Sequence, residues 1–139
     1  MGTEVLILVV EDDIVDVMTI KRAFKEAKIT NPIEVCKNGL DALEYLKKPS
    51  NKRPGIILLD INMPKMNGIE FLQVVKKDND FKSIPVVVLT TSKAEQDKVE
   101  TFNLGVAGYM IKPVDYLQFV ETVKTIHLYW TLSELPEKK

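Results

Sequence analysis

Ile56-Ile57-Leu58-Leu59-Asp60-Ile61-Asn62-Met63-Pro64 is the stretch whose reading decides the fold. Four consecutive apolar residues fit a strand buried on both faces. The run stops at a carboxylate and is followed by the turn residues Pro64, Asn67 and Gly68. Asp60 is thereby placed at the end of a strand. In an open parallel sheet, chemistry occupies the crevice at the carboxyl ends of the strands, so an acid there is a candidate reactive group. Capping of the following helix or turn is the plainer alternative. The choice depends on whether other segments bring complementary groups to the same edge.

Outward from this strand, the chain alternates strand and helix five times. Val5 to Val10 is a β-rich apolar run that also ends in acids, Glu11, Asp12 and Asp13. A helix follows with Ile14, Val17, Ile20, Phe24 and Ala27 at helical spacing, Asp13 as its N-cap and Asp16 favourable near its start. Ile33 to Cys36 is a short second strand. Asn38-Gly39 leads into a helix bearing Leu40, Leu43 and Leu46, ended by the loop from Pro49 to Pro54. After the central strand, Gly68 opens a helix with Ile69, Leu72 and Val75 inward. Pro85 to Leu89 makes a fourth strand finishing in Thr90, Thr91 and Ser92. A fourth helix is expected from Ala94 to Leu104, a fifth strand over Gly108 to Ile111 ending at Lys112-Pro113, and a last helix from Asp115 to Trp130 that buries Val120, Val123 and Ile126. The expectation is an α/β fold, a doubly wound five-stranded parallel sheet with five helices, over residues 1–130, with 131–139 as a C-terminal tail.

Composition narrows the function classes. With 139 residues, 45% hydrophobic and 28% charged, the chain suits one domain with a substantial core. A net charge of -1 provides no footprint for nucleic acid. No run approaches the roughly 18 apolar residues of a membrane span, and no signal peptide opens the chain. Leu6 stands where a myristoylation motif needs Ser or Thr. Cys36 alone cannot form an internal disulfide and reads as a small buried strand residue. A cytoplasmic protein is expected.

Strand one therefore ends in Glu11 and Asp12, strand three in Asp60, strand four in Thr90 and strand five in Lys112, all on one edge if the crossovers are right-handed. Clustered acids repel one another unless a hard cation such as Mg²⁺ offsets them. Asp60 would then be a nucleophile toward phosphorus, with Lys112 and Thr90 stabilising charge on the phosphoryl oxygens.

These residues resemble the receiver domain of two-component response regulators. The likeness is carried by Val9-Val10-Glu11-Asp12-Asp13, Leu58 to Pro64, Thr90-Thr91-Ser92 and Gly108 to Pro113, over about residues 5 to 128. The resemblance implies a flavodoxin-like strand order 2-1-3-4-5, with Asp60 as the phosphoacceptor served by a sensor histidine kinase. It implies Mg²⁺ held by Glu11, Asp12, Asp60 and the backbone carbonyl of Asn62, and a cis Lys112-Pro113 bond. It also implies a switch in which Thr90 moves inward and Tyr109 follows, remodelling the face of helix four, strand five and helix five. Asn62 and Ser92 would flank the path of the hydrolytic water. Such a domain is a phosphoacceptor with self-catalysed transfer and autodephosphorylation, not an enzyme in the usual sense, and without an output domain it would signal to a downstream protein by contact.

A narrower resemblance is to stand-alone receivers serving bacterial phytochrome histidine kinases, carried by Val88 to Glu95, Asn103-Leu104-Gly105, Lys112 to Asp115, Tyr129-Trp130 and Leu135-Pro136. It implies a homodimer through the same face, with Tyr116, Phe119, Tyr129 and Trp130 as interface residues. Trp130 folding back onto its own domain is the alternative. His127 reads as a surface or interface residue. Among rival functions, a haloacid-dehalogenase-like phosphatase needs a second Asp where Asn62 stands. A flavin or dinucleotide module would have its phosphates repelled by Glu11 to Asp13. A phosphorylation-independent binding platform would not need the full acid, hydroxyl and lysine set.

Overall fold

The computed structural model describes residues 5–125, with the side chains of Val123 and Thr125 left out of that description. The strands are β1 (Leu6–Val10), β2 (Ile33–Cys36), β3 (Pro54–Asp60), β4 (Val86–Thr90) and β5 (Gly108–Ile111). They form one parallel sheet in the order β2-β1-β3-β4-β5. The helices are α1 (Ile14–Glu26), α2 (Gly39–Lys47), α3 (Gly68–Lys77), α4 (Lys93–Glu100) and α5 (Tyr116–Thr125). The strand order reverses direction between β1 and β3, which is where an open sheet of this kind leaves a crevice.

The period-2 alternation of the three central strands creates two cores. Ile7, Val9, Ile56, Leu58, Val87 and Leu89 face one side, where Ile20, Ala23 and Phe24 of α1 and Phe119 and Val120 of α5 cover them. Leu8, Val10, Ile57, Leu59, Val86 and Val88 face the other, beneath Ala42 and Leu43 of α2, Phe71, Leu72 and Val75 of α3, and Val99 of α4. Burial on both faces is why these strands read as unbroken apolar runs. No helix among the described residues is long and apolar enough to cross a membrane.

Several boundaries and faces differ from the sequence reading. Ile14 is 72% exposed and Leu40 is also exposed, so neither belongs to the core. β3 begins at Pro54, a strand's first position being one where a missing N–H is tolerated. α4 ends at Glu100, a turn earlier than expected, because the backbone tightens into three-residue turns (Phe102 N–H to Val99 O, Asn103 N–H to Glu100 O) and Asn103 then turns left-handed with φ 50°. The expected continuation of α5 to Trp130, with Ile126, and the tail lie outside the described residues.

Candidate functional site

Each site residue is delivered by the end of a buried strand. Asp60 is the last residue of β3, and the start of α3 is pressed against it. A Cβ on Gly68 would lie 2.6 Å from both the Asp60 carbonyl oxygen and Ile61 Cα, so only glycine permits this approach. The Gly68 N–H donates to Ile61 O, and Asn67 with Glu70 closes a capping box that fixes where α3 begins. Thr90 ends β4 and accepts the Lys112 N–H at its carbonyl, 2.8 Å. The Lys112-Pro113 bond is cis. Gln118 of α5 clamps this corner, accepting from Ile111 N–H and donating to the carbonyls of Ile111 and Pro113.

The structure brings Glu11, Asp12, Asp60, Thr90 and Lys112 together. Carboxylate oxygens of Glu11, Asp12 and Asp60 lie within 4.8 Å of one another, the first and last buried and Asp12 exposed. Lys112 Nζ donates to Asp16 Oδ2 at 2.8 Å and to Glu11 Oε1 at 3.2 Å, and stands 3.4 Å from Asp60 Oδ1. That last contact is a charge contact without hydrogen-bond geometry. Asp60 Oδ1 and the hydroxyl of the fully buried Thr90 are left without hydrogen-bond partners, a costly state for buried polar atoms. An unpartnered carboxylate oxygen beside two further acids is a donor set that fits a hard divalent cation.

The electrostatics follow from burial among like charges. Burial, reinforced by the Asp60 charge, pushes the Glu11 carboxyl up to about 7 against the pull of Lys112. Burial likewise raises the Asp60 carboxyl, opposed by Lys112 and the Asn62 N–H. Burial alone would lower Lys112, but the Asp16, Asp60 and Glu11 carboxylates outweigh it and hold the ammonium more firmly charged than a free lysine.

Other expected residues lie elsewhere. Tyr109 is half-buried beside Leu104 and Val106 and lines a groove of about 330 Å³ with Val99, Glu100 and Asn103. The Asn62 side chain donates to Glu95 Oε2. Ser92 is occupied as the N-cap of α4. Tyr116 is exposed, as an interface role needs. Phe119 is a correction: it is 0% exposed, its ring centroid 4.3 Å from that of Phe24, so it is a core residue with no area to offer a partner. Tyr129, Trp130 and His127 lie outside the described residues. The sequence reading missed Asp16 as a ligand of Lys112 and gave no site role to Glu95 or Gln118. Only Asp16 left a trace, as an acid one helical turn beyond the Glu11-Asp12-Asp13 cluster.

A family model described as the response regulator receiver domain matches residues 7–124. The chain is 38% identical over 128 residues to the probable methanogenesis regulatory protein FilR2 of Methanothrix harundinacea, covering 90% of this chain and 83% of that protein. It is 35% identical over 129 residues to the response regulator Rcp1 of Synechocystis sp., covering 90% and 88%. Of solved structures, the bacteriophytochrome response regulator RtBRR is similar with a TM-score of 0.86 at 38% identity, over 96% of this chain and 84% of that one. The Mn(2+)-bound form of Rcp1 is similar with a TM-score of 0.73 at 34% identity, over 95% and 99%.

Proposed function

This chain belongs to the response regulator receiver domain family, and from that premise we propose that it accepts a phosphoryl group on Asp60 from a phosphohistidine of a sensor histidine kinase. Receiver domains are signalling domains, and phosphorylation on an aspartate is general to them. The observation that carries the assignment to Asp60 is the pair of unpartnered atoms, Asp60 Oδ1 and Thr90 Oγ1, facing the crevice that Lys112 also enters.

In the proposed transfer an Asp60 oxygen attacks phosphorus in line, and the phosphorus–nitrogen bond breaks with its electron pair returning to the imidazole. Lys112 donates to the phosphoryl oxygens, exchanging part of its contact with Glu11 and Asp60 for them, while Asp16 keeps the ammonium aimed at the pocket. The Thr90 hydroxyl gains in the phosphoryl group the acceptor it otherwise lacks. Glu11, Asp12, Asp60 and the Asn62 carbonyl would hold Mg²⁺, which when bound supplies positive charge against the phosphoryl oxygens. The Mn(2+)-bound form of Rcp1 supports a divalent ion at such a site. Hydrolysis of the phosphoaspartate then resets the domain.

The movement of Thr90 toward the phosphoryl group would draw Tyr109 with it, and the groove beside Tyr109 gives the ring room to move. The output face is α4, β5 and α5. Ile111, Tyr116 and Leu117 are exposed apolar residues there, which favours a homodimer through this surface, joined by Tyr129, Trp130 and the tail from residue 131. The likeness to the bacteriophytochrome response regulator RtBRR favours a kinase of the phytochrome class. A cytoplasmic location agrees with such a partner.

The test is incubation with a small acyl phosphate and Mg²⁺. A stoichiometric, acid-stable and base-labile label that disappears in Asp60→Asn is expected. Turnover of many phosphoesters would favour the phosphatase instead, and no label would leave only a binding platform.

A further inference from the structure

Glu95, in the first turn of α4, is used in a way that capping does not require. A glutamate at this position ordinarily returns to the N–H of the cap residue itself. Here Ser92 caps α4, its Oγ accepting the Glu95 N–H at 3.2 Å, while Glu95 Oε1 reaches one residue further and accepts the Thr91 N–H at 2.7 Å. Its other oxygen accepts Asn62 Nδ2 at 2.6 Å. One carboxylate therefore ties the loop after β4 to the loop after β3.

The position of this tie gives it its meaning. β3 and β4 are neighbours, with Asp60 opposite Leu89 in register, and their ends carry Asp60 and Thr90. The tie joins the residue two beyond Asp60 to the residue one beyond Thr90, so it crosses the outlet of the crevice between those ends. Asp60 and Thr90 are buried, whereas Asn62 and Thr91 are exposed. The bridge thus joins exposed residues that follow closely on the two buried ones.

We infer that Glu95 is a positioning residue that holds Asn62 across this outlet and so lengthens the life of phosphorylated Asp60. The inference rests on the phosphoacceptor reading above. In hydrolysis a water oxygen bonds to phosphorus opposite the Asp60 oxygen. The bond from that oxygen to phosphorus breaks, with its electron pair returning to the carboxylate. The water's proton passes to the departing phosphate or to solvent, leaving Asp60 and inorganic phosphate. An in-line attack must come from the outlet side, and the Asn62–Glu95 bridge stands on that side.

The experiment charges the full chain with a small acyl phosphate and Mg²⁺, removes the donor, and follows loss of the label. Glu95→Ala and Asn62→Ala should each shorten the half-life roughly three- to tenfold, the effect expected from the net worth of one solvent-exposed hydrogen bond. The double variant should be no faster than the quicker single one, because both remove the same bridge. Glu95→Gln should stay near the parent, since its amide can accept from the Thr91 N–H and donate to Asn62 Oδ1. Lys93→Ala, which removes only the exposed pair with Asp97, should have no effect. Decay of Glu95→Ala at the parental rate, additive effects in the double variant, or a Gln variant as fast as the Ala variant would overturn the inference. So would slower decay in either Glu95 variant, the mark of a general base. Should Glu95→Ala fail to fold, Asn62→Ala on its exposed loop carries the same prediction. A parent chain that takes up no label refutes the phosphoacceptor reading and this inference with it. Label that forms and decays alike in all variants refutes the inference alone.

Discussion

Glu11→Gln should stabilise the cation-free protein, but only above about pH 5. In the folded chain burial and the Asp60 charge push the Glu11 carboxyl up to about 7, from an ordinary 4.5. The folded state therefore binds this proton more tightly than the unfolded one, so stability is full below about pH 4.5, declines as pH rises through about 7, and is flat beyond. At about 1.4 kcal/mol per pH unit, the loss amounts to about 3 kcal/mol. The side chain of Glu11 is fully buried, so solvent does little to screen this cost.

Glutamine cannot ionise and escapes the loss. It keeps one of the two acceptor contacts of Glu11, to the Asp13 N–H or to Lys112, and gives up the other at a cost of about 1 kcal/mol that is the same at every pH. The informative quantity is the change in the variant's advantage between about pH 4 and about pH 8, in which that constant cost cancels. Urea unfolding with a chelator present should show the advantage growing by about 3 kcal/mol over this interval, roughly a 10 °C difference in thermal midpoint for a domain of this size. Equal advantages at the two pH values would refute the claim that an ionised Glu11 is held in the pocket against its preference.

Mg²⁺ should raise the thermal midpoint more at about pH 8 than at about pH 5, because Glu11 has to lose its proton to serve as a ligand, and Asp12→Asn should flatten that dependence. Gly68→Ala should cost about 1–3 kcal/mol in urea unfolding, since the new Cβ meets the rigid backbone of Asp60 and Ile61, and should slow phosphorylation by displacing Asp60; an unchanged midpoint would contradict the close approach of α3. Phe119→Ala should cost about 3–5 kcal/mol as a core truncation. Leu117→Lys, at a residue 63% exposed, should stay within about 0.5 kcal/mol of the parent yet weaken self-association in light scattering; an unaffected dimer would remove this part of the proposed interface.

The contrast between Phe119 and Leu117 shows where sequence stops being informative. The central strands were legible because burial on both faces leaves no room for polar residues, and the acids were legible because they interrupt those runs abruptly. An amphipathic helix is more ambiguous. α1 carries apolar residues on more than one flank, and periodicity cannot say that Ile20, Ala23 and Phe24 face the sheet while Ile14, Val15 and Met18 face solvent. On α5, aromatic residues at 116 and 119 looked alike until the fold turned the second toward Phe24. Contacts made across long sequence separations were least legible. Asp16 meets Lys112 over 96 residues and Glu95 meets Asn62 over 33, and no local pattern announces either.

These distant contacts explain how the fold tolerates its own site. Three carboxylates, of Glu11, Asp16 and Asp60, lie within 3.4 Å of the one ammonium of Lys112, so a single positive charge faces three acids and cannot neutralise them all. A pocket selected for stability alone would pair Asp60 Oδ1 and the Thr90 hydroxyl, and both are unpartnered. The apolar runs of β1, β3 and β4 carry the fold regardless, while Asp16 anchors Lys112 at 2.8 Å, tighter than either other contact. The ammonium can then shift its weaker contacts toward an incoming group without leaving the pocket. Unmet charge at the strand ends, held by a core that does not depend on it, is a state that a cation and a phosphoryl group would relieve together. The same imbalance fixes the sign of the Glu11→Gln effect: neutralising a pocket acid stabilises the resting chain while removing the means of binding what would otherwise stabilise it.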